Sequence, residues 1–436
     1  MRWIFLFSAG LAFAQETLPL SLKRAVEIAL APEGSPRVAL AEEAIRQSQT
    51  GIAQARAAFL PDIETSVTDQ SETVNLRSFG LNFPLPAGVS FPSLVGPFSV
   101  FDARATAQQS VFDFSSIRKY QSSKVTVEAT RADAETTRKQ VSDTVARSYL
   151  ACLRADAKLE TERANVDLSD ALLKLSNRQK TAGTGLAIEV TRAQVQLAND
   201  RQNLIVAEND RRKAVLQLLR AIGLSLDARV EFTDKLAYKP VDVGPMEAAL
   251  EKARKERAEL KAQAKREEIA KLNYGSVKAE RLPSLSAFGN YGTIGPEIIG
   301  ALPTRSVGLT LKVPVFDGGR KDARRAESFS LLRQEEIRSR DVKQQVELDV
   351  RLALDSIKSA ASQVETARDG LTLAENELAQ ARRRYEGGVA NSIEVTDAQT
   401  RLDRARDNSI AALYNYNLAR LDLATATGSI AEYLNQ

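Results

Sequence analysis

RYEGGVANSIEVTDAQ, residues 384–399, and QKTAGTGLAIEVTRAQ, residues 179–194, are one turn written twice. Gly183/Gly388, Ile188/Ile393, Glu189/Glu394, Val190/Val395, Thr191/Thr396, Ala193/Ala398 and Gln194/Gln399 match at a constant spacing of 205 residues (188 to 393). A self-similarity held over this length marks a duplicated unit. In each copy a Gly-containing turn leads at once into an Ala-spaced helical pattern.

Outward from the second turn the periodicity is that of a coiled coil. Val350, Ile357, Val364, Leu371, Leu378 and Tyr385 recur every seven residues, with Ala353, Ala360, Ala367, Ala374 and Ala381 between them. The following segment repeats the pattern in Val395, Leu402, Ser409, Tyr416 and Leu423, interleaved with Ala398, Ala405, Ala412, Ala419 and Ala426. A sustained seven-residue repeat imposes a supercoil. Alanine in one whole register lets two helices approach closely, so the pattern favours a tight antiparallel hairpin. Around the first turn the same register is interrupted by Glu162, Asp200 and Arg211, and a looser or wetter hairpin is expected there.

The helices predicted from these patterns span 114–179 and 188–222 in the first half, and 320–385 and 393–427 in the second. At 1.5 Å per residue the longer member of each pair is roughly 100 Å long. Asp113 and Asp317 stand where N-caps belong, and Gly223 and Gly428 where such helices stop. Shorter helices are expected at 18–30, 37–59, 246–256 and 258–281, the second and fourth ending at Leu60-Pro61 and Leu282-Pro283. Strands follow at 62–70 and 284–292, then at 103–112 and 306–316. In the last of these Val307, Leu309, Leu311, Val313 and Val315 alternate with polar or small residues. The connections, 71–101 with Pro84, Pro86, Pro92 and Pro97, and 293–304, read as irregular.

Composition narrows the function classes. The chain of 436 residues contains no His and one Cys, so imidazole catalysis, imidazole metal ligation and an internal disulfide are all excluded. No nucleophile–base pair or phosphate-binding Gly loop is present, so no enzyme activity, catalytic residue, cofactor or metal is expected. A formal net charge of +4 is no nucleic-acid-binding signature. Arg2, the apolar run Trp3–Phe13 and Ala12-Phe13-Ala14 read as a secretory signal over residues 1–14. The remainder divides into repeat 1 (15–228, strand pair 62–112, hairpin 114–222), a linker (229–245) and repeat 2 (246–436, strand pair 284–316, hairpin 320–427). Four strands leave two open edges, which a membrane does not tolerate unless several chains close the sheet.

The duplication, the Val-Phe-Asp-Gly-Gly junction at 315–319 and the turn at 384–399 resemble the TolC-like outer-membrane efflux protein family, over essentially the whole mature chain. The resemblance implies a mainly α fold with a small β part. Three chains would form a 12-helix coiled-coil barrel across the periplasm and a 12-stranded β-barrel in outer-membrane lipid, four strands per chain. It implies a homotrimer that meets a periplasmic adaptor and, through it, an inner-membrane pump, exporting small molecules or protein. By the same resemblance Glu394 and Asp397 match the paired aperture acids, and Tyr385 matches a Tyr that latches to the neighbouring hairpin's acid, here Glu189. Gly183, Thr184, Gly388 and Val389 fall on the tip that adaptors grip. The chain departs from the family pattern at Ala390, where the latch has an Arg, and at Arg192, which occupies the first-repeat position of Asp397.

Each of these residues also has a plain structural reading. Asn391 and Glu394 form a capping-box variant at a helix start. Tyr385 ends a heptad seam, and the glycines suit a turn that needs positive φ. A second functional class, a periplasmic coiled-coil scaffold or adaptor without a pore, explains the seams but not the strand pairs.

Overall fold

The computed structural model describes residues 18–80, 92–241 and 243–435; the expected signal segment and Pro84 and Pro86 lie outside these. The elements run β1 (Leu18–Leu20), α1 (Leu22–Leu30), α2 (Pro36–Ala57), β2 (Asp62–Asn75), β3 (Leu94–Phe112), α3 (Phe114–Thr181), α4 (Ala187–Ile222) and β4 (Val230–Phe232). They continue with α5 (Met246–Glu256), α6 (Ala258–Ala279), β5 (Ser284–Gly295), β6 (Leu302–Lys312), α7 (Arg320–Glu386), α8 (Ser392–Thr427) and α9 (Ile430–Tyr433). The fold is mainly helical. No helix among the described residues is long and apolar enough to cross a membrane, which says nothing of a β-barrel.

The chain gathers into two units, each drawn from both halves of the sequence. One comprises Met1–Ala44, Arg131–Ala262 and Arg340–Gln436; the other comprises Ile45–Thr130 and Gln263–Ser339.

The second unit holds a four-stranded antiparallel sheet in the order β2-β3-β5-β6. The two halves of the sequence meet at β3 and β5, so β2 and β6 are its open edges. Apolar side chains on both are exposed to solvent: Val67 is 73% exposed and Val307 86%. The strands are longer than expected at the distal end, since β2 continues to Asn75 and β3 starts at Leu94. The last strand, expected at 306–316, is shifted to Leu302–Lys312. Pro314 has no N–H to continue a ladder, and Val313–Phe316 leave the sheet before the helix starts. Pro303 is tolerated because β6 is an edge strand. Asp113 caps α3, accepting from the Ser115 amide at 3.0 Å, and Asp317 accepts from the Lys321 amide at 3.1 Å.

The first unit carries the turn-bearing parts of both hairpins. In the second hairpin the seam is buried as its heptads require. Val350, Ile357, Leu378, Val395, Leu402 and Tyr416 are all buried, with Ala353, Ala360, Ala374, Ala398, Ala412 and Ala419 between them. In the first hairpin, where a looser or wetter seam is expected, two of the three interrupting residues are buried and the third is partly exposed. Glu162 and Asp200 are each only 2% exposed, held by Lys158, Asn165, Ser169 and Gln196. Arg211 pairs with Asp156. Polar side chains interrupt the apolar pattern without opening the interface, because each finds a partner. Cys152 is fully buried, and burial pushes its thiol up to about 12, as suits an inert core residue.

One feature of this unit has no counterpart in the heptad pattern. The 229–245 segment supplies β4, which pairs in parallel with β1. Tyr149 of α3 sits beneath this pair with its ring edge-on to Phe232, 5.4 Å between centroids. Its hydroxyl lies 2.8 Å from the Leu20 carbonyl and 2.7 Å from Asp234 Oδ2. Further along, Tyr416 of α8 donates to the Lys239 carbonyl at 2.8 Å. The carbonyls at the end of α8 meet cations: Arg257 donates to Thr425 O at 3.2 Å, and Lys139 Nζ lies 3.4 Å from Gly428 O.

Candidate functional site: the hairpin tips

Both tips close by one backbone device. In the first, the Thr184 amide reaches back to Gln179 O and the Gly183 amide to Lys180 O; in the second, Val389 reaches Arg384 O and Gly388 reaches Tyr385 O. These are the paired bonds of a helix end closed by a left-handed residue. Gly183 has φ 76° and Gly388 φ 70°. A Cβ at either position would meet nothing within 4 Å, so backbone conformation, not space, demands glycine.

The helix starts differ. Asn391 Oδ1 accepts from the Ile393 and Glu394 amides at 3.1 and 3.3 Å. At the first tip the cap position is Leu186, which has no side-chain acceptor. Only the return half of a capping box is made there, Leu186 N–H donating to Glu189 Oε2 at 3.3 Å.

The acids singled out in the sequence occupy distinct settings. Glu394 is exposed and paired with Arg384 of the same hairpin, Nε to Oε1 at 2.8 Å. Arg384 thus supplies a guanidinium on the side of the turn opposite the missing Arg at Ala390. Asp397, one turn further along α8, is exposed and has no hydrogen-bond or ion-pair partner among the described residues. Gly183, Thr184, Gly388 and Val389 are all exposed, and with Leu186, Ile188 and Ile393 they give both tips an apolar, water-facing surface.

Tyr385 is 4% exposed and its hydroxyl lies 3.2 Å from Ser176 Oγ on α3. A direct bond to Glu189 is not formed within the chain. Glu189 lines the same small cleft as Tyr385, Ser176 and Gln399, and burial and then the Glu189 charge hold the phenol above its ordinary range while Ser176 opposes them. Leu168, Leu172 and Leu175 of α3 pack on the Tyr385, Val395 and Leu402 cluster, so the two hairpins share a core at this level. Removing only the hydroxyl with Tyr385→Phe keeps that packing and costs about 1 kcal/mol for the lost bond. Thermal unfolding of the detergent-solubilised protein measures it, and an unchanged midpoint would remove Ser176–Tyr385 from the contacts that hold the tips together.

Sequence reading missed Ser169, Ser176 and Gln399 as contacts between hairpins. Ser169 and Ser176 stand in the small register of the α3 seam, where a hydroxyl in place of Ala was the available signal.

Long helices paired as hairpins with acid-bearing turns, joined to a four-stranded antiparallel sheet with exposed apolar side chains, are the parts that the comparisons match to a class of outer-membrane efflux channels. The chain belongs to the outer membrane efflux protein family, whose model matches residues 28–224 and 249–429. It is 25% identical over 302 residues to the outer membrane protein TolC of Vibrio cholerae, covering 66% of this chain and 67% of that one. It is 25% identical over 423 residues to the pyoverdine export outer membrane protein OpmQ of Pseudomonas putida, covering 93% of this chain and 84% of that one. Among solved structures it is similar to the Campylobacter jejuni CmeC outer membrane channel, with a TM-score of 0.81 at 15% identity, covering 94% and 86% of the respective chains. The protein is an outer-membrane protein that extends into the periplasm.

Proposed function

We propose that three copies of this chain form an export duct gated at the hairpin tips. The observation that carries the reading is the open-edged sheet. β2 and β6 each leave one row of backbone groups unpaired, and apolar side chains such as Ile63, Val67, Val307, Leu309 and Leu311 on them are exposed. A membrane does not accept free edges, so the sheet must close with other copies. Three chains of four strands give a 12-stranded barrel, and their four long helices each give a 12-helix tube, with the repeats at 15–228 and 246–436 supplying equal shares. Bacterial single-chain barrels begin at eight strands, so one chain alone is too small.

In this reading the second hairpin carries the gate. Asp397 and Glu394 from three copies make rings of carboxylates that favour cations at a constriction. Tyr385, Ser176 and Glu189 hold the second hairpin against the first in the closed state. The exposed tip residues Gly183, Thr184, Gly388 and Val389 are the docking surface for a periplasmic adaptor, which links the duct to an inner-membrane pump. The duct performs no catalysis and holds no cofactor. One relative, OpmQ, is a pyoverdine export protein and another, AprF, an alkaline protease secretion protein, matched over 93% and 99% of this chain, so the likeness supports export of either small molecules or protein.

The test is extraction. The duct should leave outer-membrane fractions only with detergent and run at three times the chain mass with its micelle subtracted. A monomer released by salt or alkali would instead favour the pore-free scaffold.

A further inference from the structure

The chemistry that interrupts the first seam converges with α8 of the second hairpin. Glu162 of α3, Asp200 of α4 and Asp403 of α8 act on one another electrostatically. Glu162 and Asp200 are each 2% exposed. The cations at hand are Lys158, bonded to both Glu162 and Asp407, and Arg406, which donates to Asn165 Oδ1 at 2.9 Å. The charges that act on Asp403 are those of Asp200, Glu162, Arg406 and Asp407, one cation against three carboxyl groups.

Two acceptors in this cluster lack donors. Asp403 Oδ1 is buried without a partner, and so is Oε1 of Gln399, a residue 0% exposed. The Gln399 amide faces the cluster directly: its Nε2 lies 2.8 Å from Ser169 Oγ and 3.4 Å from Asp200 Oδ2. Ser169 also bonds Asp200 and has a single proton to give. Buried acceptors without donors beside crowded carboxyl groups are what protons on those carboxyl groups would satisfy.

We propose that Asp200 and Asp403, crowded by the Glu162 charge, form a proton-held clasp between the hairpins, closed when this pair is protonated and released when it ionises. Burial, then the Asp200 and Glu162 charges, push Asp403 up to about 6 against the opposing Arg406. Burial also raises Asp200, while Ser169 and Gln196 oppose it. The sign follows from a carboxyl group raised above its ordinary value of about 3.9. The clasp is fully present below that value and is lost as pH rises through about 6. The inference rests on the gated-duct reading only where release of the clasp is equated with opening.

Amide hydrogen exchange in α8 of the intact detergent-solubilised assembly, corrected for intrinsic pH dependence, tests it at about pH 5 and about pH 8. The expected protection around Asp403 is roughly tenfold greater at the lower pH. Asp403→Asn, and independently Glu162→Gln, should flatten that difference, while α1 stays equally protected at both. Equal corrected protection at both pH values in the unaltered protein would overturn the clasp, and so would a full difference persisting in Asp403→Asn. Bilayer recordings at the same two pH values separate the two readings. More frequent opening at about pH 8 supports both, whereas silence at each pH with pH-dependent exchange keeps the clasp and removes the duct.

Discussion

Asp397→Ala lowers the cation preference of the duct roughly tenfold in planar bilayers, and Glu394→Ala lowers it less. For a cation about 6 Å away in a water-like dielectric, each carboxylate contributes about 0.7 kcal/mol. Three of them sum to about 2 kcal/mol before salt screening reduces the effect. The two acids are unequal because Arg384 already neutralises Glu394 at 2.8 Å, whereas Asp397 has no partner among the described residues. The reversal potential in a salt gradient reads the difference. Asp397→Ala with Glu394→Ala leaving both conductance and reversal potential unchanged would place the constriction elsewhere. Arg384→Ala should act oppositely, raising cation preference by freeing the Glu394 charge.

Tyr149→Ala destabilises the protein by about 3–5 kcal/mol, the range for truncating a buried aromatic side chain. Tyr149 is 0% exposed and packs against Phe232. Its hydroxyl is shared between the Leu20 carbonyl and Asp234, which also accepts from the Leu22 amide at 2.9 Å. Losing the ring leaves a cavity under the β1–β4 pair and removes the donor that Asp234 meets. Tyr149→Phe separates the two contributions, since it keeps the ring and should cost about 1–2 kcal/mol. Denaturant unfolding followed by circular dichroism measures both. A Tyr149→Ala cost no larger than that of Tyr149→Phe would show that the ring packs on nothing that matters.

Much of this architecture was legible because coiled-coil helices announce themselves through spacing. The pairing of Val350 and Ala353 with residues every seven positions further on predicts both hairpin length and a close seam, and the structure buries them accordingly. Gly183 and Gly388 mark the turns because few other residues accept positive φ. The linker was opaque for the opposite reason. β4 has three residues, and its reason for being extended is β1, more than 200 positions away in sequence. The polar residues of the first seam misled differently. Periodicity registers Asp200 as a fault, because a pattern along one helix does not show Ser169 on α3 or Gln399 on α8. The same limit concealed Ser176 as the partner of Tyr385. Arg384 as the partner of Glu394 lay across a turn whose geometry decides which charges meet.

Single-channel recording of the purified, detergent-extracted protein in planar bilayers tests the duct most directly. The expected result is discrete, cation-preferring conductance steps whose selectivity falls when Asp397 and Glu394 are replaced by Ala. Bilayers that stay silent with correctly assembled trimer, or steps indifferent to both acids, would contradict an export duct gated by the 384–399 turn.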